Sequence, residues 1–142
     1  MKTSDRGIEL IKAHEGFLSH AYRCPAGRWT IGYGHTGGVK SGDVVTQAQA
    51  TVLLTGDIVT AEKAVSVAGL KLAQNQFDAL VSFVFNVGAG NFNRSTLLKY
   101  ARANVDDPRI RLEFSKWIYA DGKVLPGLVK RRKAESDLYF SK

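Results

Sequence analysis

Six of the fourteen glycines (Gly27, Gly32, Gly34, Gly37, Gly38 and Gly42) crowd into residues 17–45. Glycine at that density suits turns and poorly suits a helix interior, where each one costs about 1 kcal/mol relative to Ala. The stretch must therefore fold from short extended pieces. Residues 18–23, 29–34 and 44–45 read as strands, which predicts a small antiparallel sheet with turns at Pro25-Ala26-Gly27 and around Gly37-Gly38.

Helical periodicity governs the rest. Ser4 caps a short helix over residues 4–15, with Ile8 and Ile11 on one face and Gly16 as its stop. Thr46 with Gln49 forms a capping box for a helix from 47 to about 67, weakened in its middle by Gly56. Asn75 opens a helix whose Phe77, Leu80, Val81 and Val84 make an i, i+3, i+4, i+7 stripe, ended by Gly88 and Gly90. Ser95 caps a helix over 96–103. Asp107-Pro108 opens another to about 117, and Pro126 a last one through 139. A short helix, a small sheet and then five helices make an α+β chain with its strands segregated near the N-terminus. The 142 residues hold no linker, repeat or low-complexity tract and suffice for one domain without a disulfide or metal staple.

Other features narrow the function. The net charge of +7 favours an anionic partner: nucleic acid, a membrane surface or an acidic polymer. The single cysteine, Cys24, excludes an intrachain disulfide and a Cys-rich zinc site. Three histidines without an HExxH pattern give no reason to expect a metal, and no cofactor motif is present. No apolar run approaches the 18 or so residues that span a membrane, and no secretory signal or anchor is read at the start.

Glu15 stands at the end of the first helix among small and apolar neighbours, Ala13 and Gly16-Phe17-Leu18. A partly buried carboxyl there would have its pKa raised and could act as a general acid. A surface Glu in a turn is the alternative. Cys24 and Thr30 follow across a predicted hairpin turn, and a thiol and a hydroxyl facing a carboxylic acid can hold a water molecule. A lone Cys is also at home as a small buried hydrophobe, and Thr in any strand. A Cys24–His35 or Cys24–His14 nucleophile pair, serving a cysteine peptidase or amidase, stays open. The basic run Lys130-Arg131-Arg132-Lys133 fits a solvated helix face or a DNA-binding module. Successive helical residues lie about 100° apart, so these four cannot share one face.

The runs His14-Glu15-Gly16-Phe17, Ala21-Tyr22 and Trp29-Thr30-Ile31-Gly32-Tyr33-Gly34-His35-Thr36 resemble the phage-type lysozymes, the endolysins of lambdoid and related phages. The family pattern is Glu, eight residues, Asp or Cys, five residues, Thr. Glu15, Cys24 and Thr30 match it at every spacing. Asn75 to Phe83, then Phe85-Asn86-Val87-Gly88, and Pro126 to Arg132 with Glu135 resemble the family's helical lobe, so the likeness runs through nearly the whole chain.

The resemblance implies a lysozyme-like fold within a single domain spanning residues 1–142. A small sheet lobe (about 16–46) and a larger helical lobe (about 68–142 with the N-terminal helix) would be joined by the long helix beginning near Gln47. It implies hydrolysis of the β-1,4 bond between N-acetylmuramic acid and N-acetylglucosamine of peptidoglycan, with Glu15 as general acid and Cys24 and Thr30 positioning water. Gly32, Tyr33 and Gly34 would let glycan approach the sheet backbone, Phe85 and Asn86 would contact sugar, and His35 would be structural. One departure matters. Cys24 stands where many members have Asp, so one of the usual two carboxylates is missing. A non-catalytic wall-binding protein on the same fold is a further alternative. The implied protein is a monomer that inserts in no membrane and binds no nucleic acid. It would wait in the host cytoplasm and reach the periplasm through a holin-type lesion or another export route.

Overall fold

The computed structural model covers Met1–Lys142. In chain order its elements are α1 (Asp5–Glu15), β1 (Leu18–Arg23), β2 (Trp29–Gly32), α2 (Gln47–Asp57), α3 (Val59–Val67), α4 (Gln74–Val87), α5 (Ala89–Arg94), α6 (Thr96–Ala103), α7 (Arg109–Ser115), β3 (Tyr119–Ala120), β4 (Lys123–Val124) and α8 (Pro126–Tyr139). The chain divides into two compact units, Ile11–Val59 and Met1–Leu10 with Thr60–Lys142.

In the Ile11–Val59 unit the glycine-rich stretch folds as a two-stranded antiparallel sheet. Leu18 pairs with Gly32, Tyr22 with Thr30 and Arg23 with Trp29, with a register irregularity between Leu18 and Tyr22. The expected third strand is reduced to one bridge, Val44 opposite His20. The hairpin closes where Gly27 N–H donates to Cys24 O (2.8 Å) and Cys24 N–H to Arg28 O (2.9 Å). Gly27 takes φ +83°, so the three-residue loop has its glycine at the left-handed position. Helix α2 starts with the predicted capping box: Gln49 N–H donates to Thr46 Oγ1 and Thr46 N–H to Gln49 Oε1.

The expected helix from 47 to 67 is two helices, interrupted at Ile58. Thr51 and Thr55 turn their hydroxyls back onto the carbonyls of Gln47 and Thr51, which bends a helix. Gly56 follows immediately and lowers the helical preference further.

The other unit is built on α4. Gln76 to Val84 are all buried, so the predicted four-residue stripe understates the burial. Phe83 meets Phe114 and Trp117 edge-on, with ring centroids 5.3 and 5.7 Å apart, and Phe114 meets Tyr139 at 5.8 Å. Fully burying Phe83 and Phe114 contributes roughly 1.5–3 kcal/mol each. The buried polar residues on α4 are satisfied: Asp78 accepts from Ser4 N–H, Ser4 Oγ and Gln74 Nε2. The Ser4 hydroxyl, expected to cap α1, thus donates to Asp78. Asn75 gathers the C-terminus, its amide donating to the carbonyls of Leu138, Tyr139 and Ser141. Helix α7 stops at Ser115, short of the expected 117.

Two elements were absent from the sequence expectation. Helix α5 follows Gly88, its Phe92 fully buried. The β3–β4 hairpin turns on Asp121-Gly122, both with positive φ (51° and 76°). An Asp-Gly pair between extended residues is a strong hairpin signal.

Candidate active site

The β1–β2 hairpin positions Cys24 and Thr30. Cys24 lies opposite Arg28 and Thr30 opposite Tyr22, so the two are diagonal neighbours on one face. Thr30 is buried, and its hydroxyl donates to Arg28 O at 3.2 Å. The Cys24 thiol is held below its ordinary pKa. The Arg28 backbone amide has the largest effect, partial burial opposes it, and the Ala26 amide and the Thr30 hydroxyl add to it. Each of these donors favours the thiolate. The structure therefore brings Cys24 and Thr30 together, as the spacing suggested.

Glu15 is the last residue of α1 and is half-buried. Its carboxylate lies beside Gly34, where an added Cβ would stand 3.5 Å from Oε2. Gly34 is exposed and takes φ +87°, so its small size and its left-handed backbone both bear on what can stand next to Glu15. Gly32 has a different neighbour: a Cβ there would meet Ala50 Cβ of α2 at 2.9 Å, so this glycine lets β2 close on α2. Tyr33 is buried, its ring 5.5 Å from that of Phe17 and 5.5 Å from the Lys12 ammonium. Of the three residues expected to admit glycan, Gly34 is the exposed one.

His35 ties its turn to the end of α2. Nδ1 meets the Asp57 carboxylate at 2.8 and 3.0 Å, and Nε2 meets Gly37 O at 2.8 Å. Both ring nitrogens are occupied. Asp57 was not foreseen, because a carboxylate 22 residues away carries no local signal.

Phe85 and Asn86 lie at the end of α4, in the other unit. Phe85 is half-buried and Asn86 exposed. Asn86 lines a cavity of about 610 Å³ together with Val87, Lys116, Trp117, Tyr119 and Leu128. Its Oδ1 accepts from Arg132 Nη2. The basic run splits as helical geometry requires: Lys130 and Lys133 are exposed, whereas Arg131 and Arg132 are buried. Glu135 balances both, facing Arg131 Nε at 3.3 Å and Arg132 Nη1 at 3.1 Å. It also accepts from Ser82 Oγ at 2.5 Å. The solvated-face reading of the run thus holds for the two lysines and is corrected for the two arginines. The glutamate three and four residues on was the available signal. No group of three or more His, Cys, Asp or Glu could hold a metal ion, and no helix is long and apolar enough to cross a membrane.

The family model described as Phage lysozyme matches residues 12–135. An endolysin of Acyrthosiphon pisum secondary endosymbiont phage 1 is 49% identical over 148 residues, which cover 99% of each chain. The endolysin of Bacillus phage PZA is 43% identical across 99% of this chain, which spans 56% of that protein's length. Among solved structures, the muramidase domain of SpmX from Asticaccaulis excentricus matches with a TM-score of 0.91 at 38% identity, covering 99% of both chains.

Proposed function

The chain belongs to the phage lysozyme family, and on that premise we propose that it is an endolysin of the muramidase type, one lysozyme domain over residues 1–142, cutting the β-1,4 bond between N-acetylmuramic acid and N-acetylglucosamine. The observation that carries this reading is the placement of a thiol–hydroxyl pair, Cys24 and Thr30, in the same compact unit as the Glu15 carboxylate, which lies against an exposed glycine. Glu15 gives its proton to the leaving glycosidic oxygen as the bond to C1 breaks, through an oxocarbenium-like transition state. A water molecule held by Thr30 and Cys24 adds to C1 from the opposite face, inverting it, and sheds its proton to solvent. Gly34 leaves room for a sugar beside the carboxylate, and in the other unit Phe85 and Asn86 are an aromatic edge and an amide of the kind that contacts sugar. The chain acts as a monomer on peptidoglycan, reached after release through a holin-type lesion, and lyses the cell.

A peptidase using Cys24 and His35 finds no support, since both ring nitrogens of His35 already have partners. The test is clearing of outer-membrane-permeabilised Gram-negative cells, with mass spectrometry of the released muropeptides. Wild type should produce new reducing muramic-acid ends. Glu15→Gln should lose activity by about 10²–10⁴-fold, the usual contribution of a general acid. Cys24→Ser should keep most activity, because a hydroxyl also positions water. Intact glycan with cut peptides would overturn the glycosidase reading, and an inactive Cys24→Ser would replace water positioning with covalent thiol chemistry.

A further inference from the structure

Arg132 is buried to 1% exposure, yet it hydrogen-bonds outward. Its Nε and Nη1 make no hydrogen bond, and Nη1 only faces Glu135 Oε1 at 3.1 Å as an ion pair. Its guanidinium lies 5.2 Å from the Phe83 ring centroid. The one hydrogen bond it makes runs from Nη2 to Asn86, on the wall of the cavity of about 610 Å³. A guanidinium present only to neutralise Glu135 would engage it through two parallel hydrogen bonds, the geometry that planar fork and carboxylate favour. Here the ion pair anchors the side chain and the hydrogen bond is directed elsewhere.

A guanidinium carries donors and no acceptor, so the oxygen of Asn86 must face it and the NH2 must point away. Asn91, on the same wall, lacks this freedom: its amide donates to Val87 O at 2.8 Å and accepts from Arg94 Nη2 at 3.1 Å. Lys116, held by Glu113 at 2.7 Å, adds a cation to the cavity, and Trp117 and Tyr119 add aromatic surface. The wall is thus rich in donors.

We propose that Arg132 is a positioning residue that locks the Asn86 amide with its N–H donors presented to this cavity, so that the cavity selects a carbonyl or carboxylate oxygen of the wall polymer. The proposal rests on the glycan reading above and deepens it, because it names the group that the helical unit recognises and the side chain that orients the contact.

The test compares KM, kcat and Tm on purified peptidoglycan for wild type, Asn86→Asp, Asn86→Ala, Arg132→Lys and the double variant Asn86→Ala/Arg132→Lys. Asn86→Asp keeps the shape and the contact with Arg132 but replaces the NH2 by oxygen. It should raise KM about tenfold, as loss of one hydrogen bond and gain of a repulsive acceptor imply, with kcat within about twofold. Arg132→Lys keeps a charge for Glu135 and loses the fork. It should raise KM in the wild-type background and leave KM unchanged in the Asn86→Ala background. A purely structural Arg132 would instead give the same effect in both backgrounds, which overturns the proposal. So does an unchanged KM in Asn86→Asp, a variant that leaves Arg132 in place and decides the matter even if Arg132→Lys fails to fold. If wild type leaves the glycan intact, the muramidase reading has failed. The positioning proposal is then read by titrating a soluble disaccharide-peptide into wild type and Asn86→Asp. Weaker binding by about tenfold in the variant supports it; equal affinity, or no binding by either, overturns it.

Discussion

Cys24 departs from the ordinary behaviour of a thiol. Backbone amides of a tight hairpin turn, that of Arg28 foremost, hold its thiol below the usual range near 8.5, and the Thr30 hydroxyl helps. The rate of alkylation by iodoacetamide should therefore rise with pH at a midpoint below that of the unfolded chain. Thr30→Val should move the midpoint part of the way back, since the Arg28 amide remains. A midpoint at or above that of the unfolded chain would show that the turn does not hold the thiolate. The candidate residues Glu15, Cys24 and Thr30 were legible because their types and spacing match the phage-lysozyme pattern. Arg132 was not. Glu135, three and four residues on, was a signal that cations of this run pair inward, but which of them turns toward α4 depends on the phase of α8, and the contacts of Glu135 with Ser82 and of Arg132 with Asn86 reveal it.

At the scale of elements, local signals succeeded where a cap or a turn is self-contained. The Thr46–Gln49 box, the Ser95 cap and the Pro126 start all appear where the chain predicts them. The 47–67 helix failed for a reason that individual residues state: two threonines bonding back along the helix, then Gly56. Gly56 is exposed, lies in a helix and has open space where a Cβ would go. Gly56→Ala should thus stabilise the protein by about 0.4–1 kcal/mol through the entropy of the unfolded chain. A rise of a few degrees in Tm by calorimetry would bear this out, and a fall would mean that the interruption at Ile58 requires the glycine.

At the scale of the molecule, α7 and α8 are joined at the surface by Asp137, which accepts from Lys133 Nζ at 2.9 Å and Arg111 Nη1 at 2.6 Å. These two bonds, Lys133 first, lower the Asp137 pKa below the ordinary carboxylate value. A depressed carboxylate pKa contributes stability that is complete above the unfolded value near 3.9 and is lost as pH falls through the lower folded value. The side chain is 47% exposed, so solvent screening keeps the effect small. Asp137→Asn should cost less than about 1 kcal/mol at pH 7, and the difference from wild type should be smaller at pH 2. Urea unfolding at the two pH values measures it. A difference of equal size at both would assign the effect to packing.

The sequence by itself determined the class of the protein. The glycine-dense stretch could only make turns and short strands, the helical periods and caps placed most of the rest, and the Glu15, Cys24, Thr30 spacing marked the candidate chemistry. The turns, periods and caps are local, because each rests on backbone preferences within a few residues, whereas the Glu15, Cys24, Thr30 spacing is read through its resemblance to the phage lysozymes. Tertiary structure alone decided that His35 is held by Asp57, that α4 is buried on nearly every side, and that two arginines enter the core around Glu135. Burying a charge is tolerable only where a partner from another turn or element meets it at close range. That meeting depends on how the helices pack, which no stretch of the chain encodes alone.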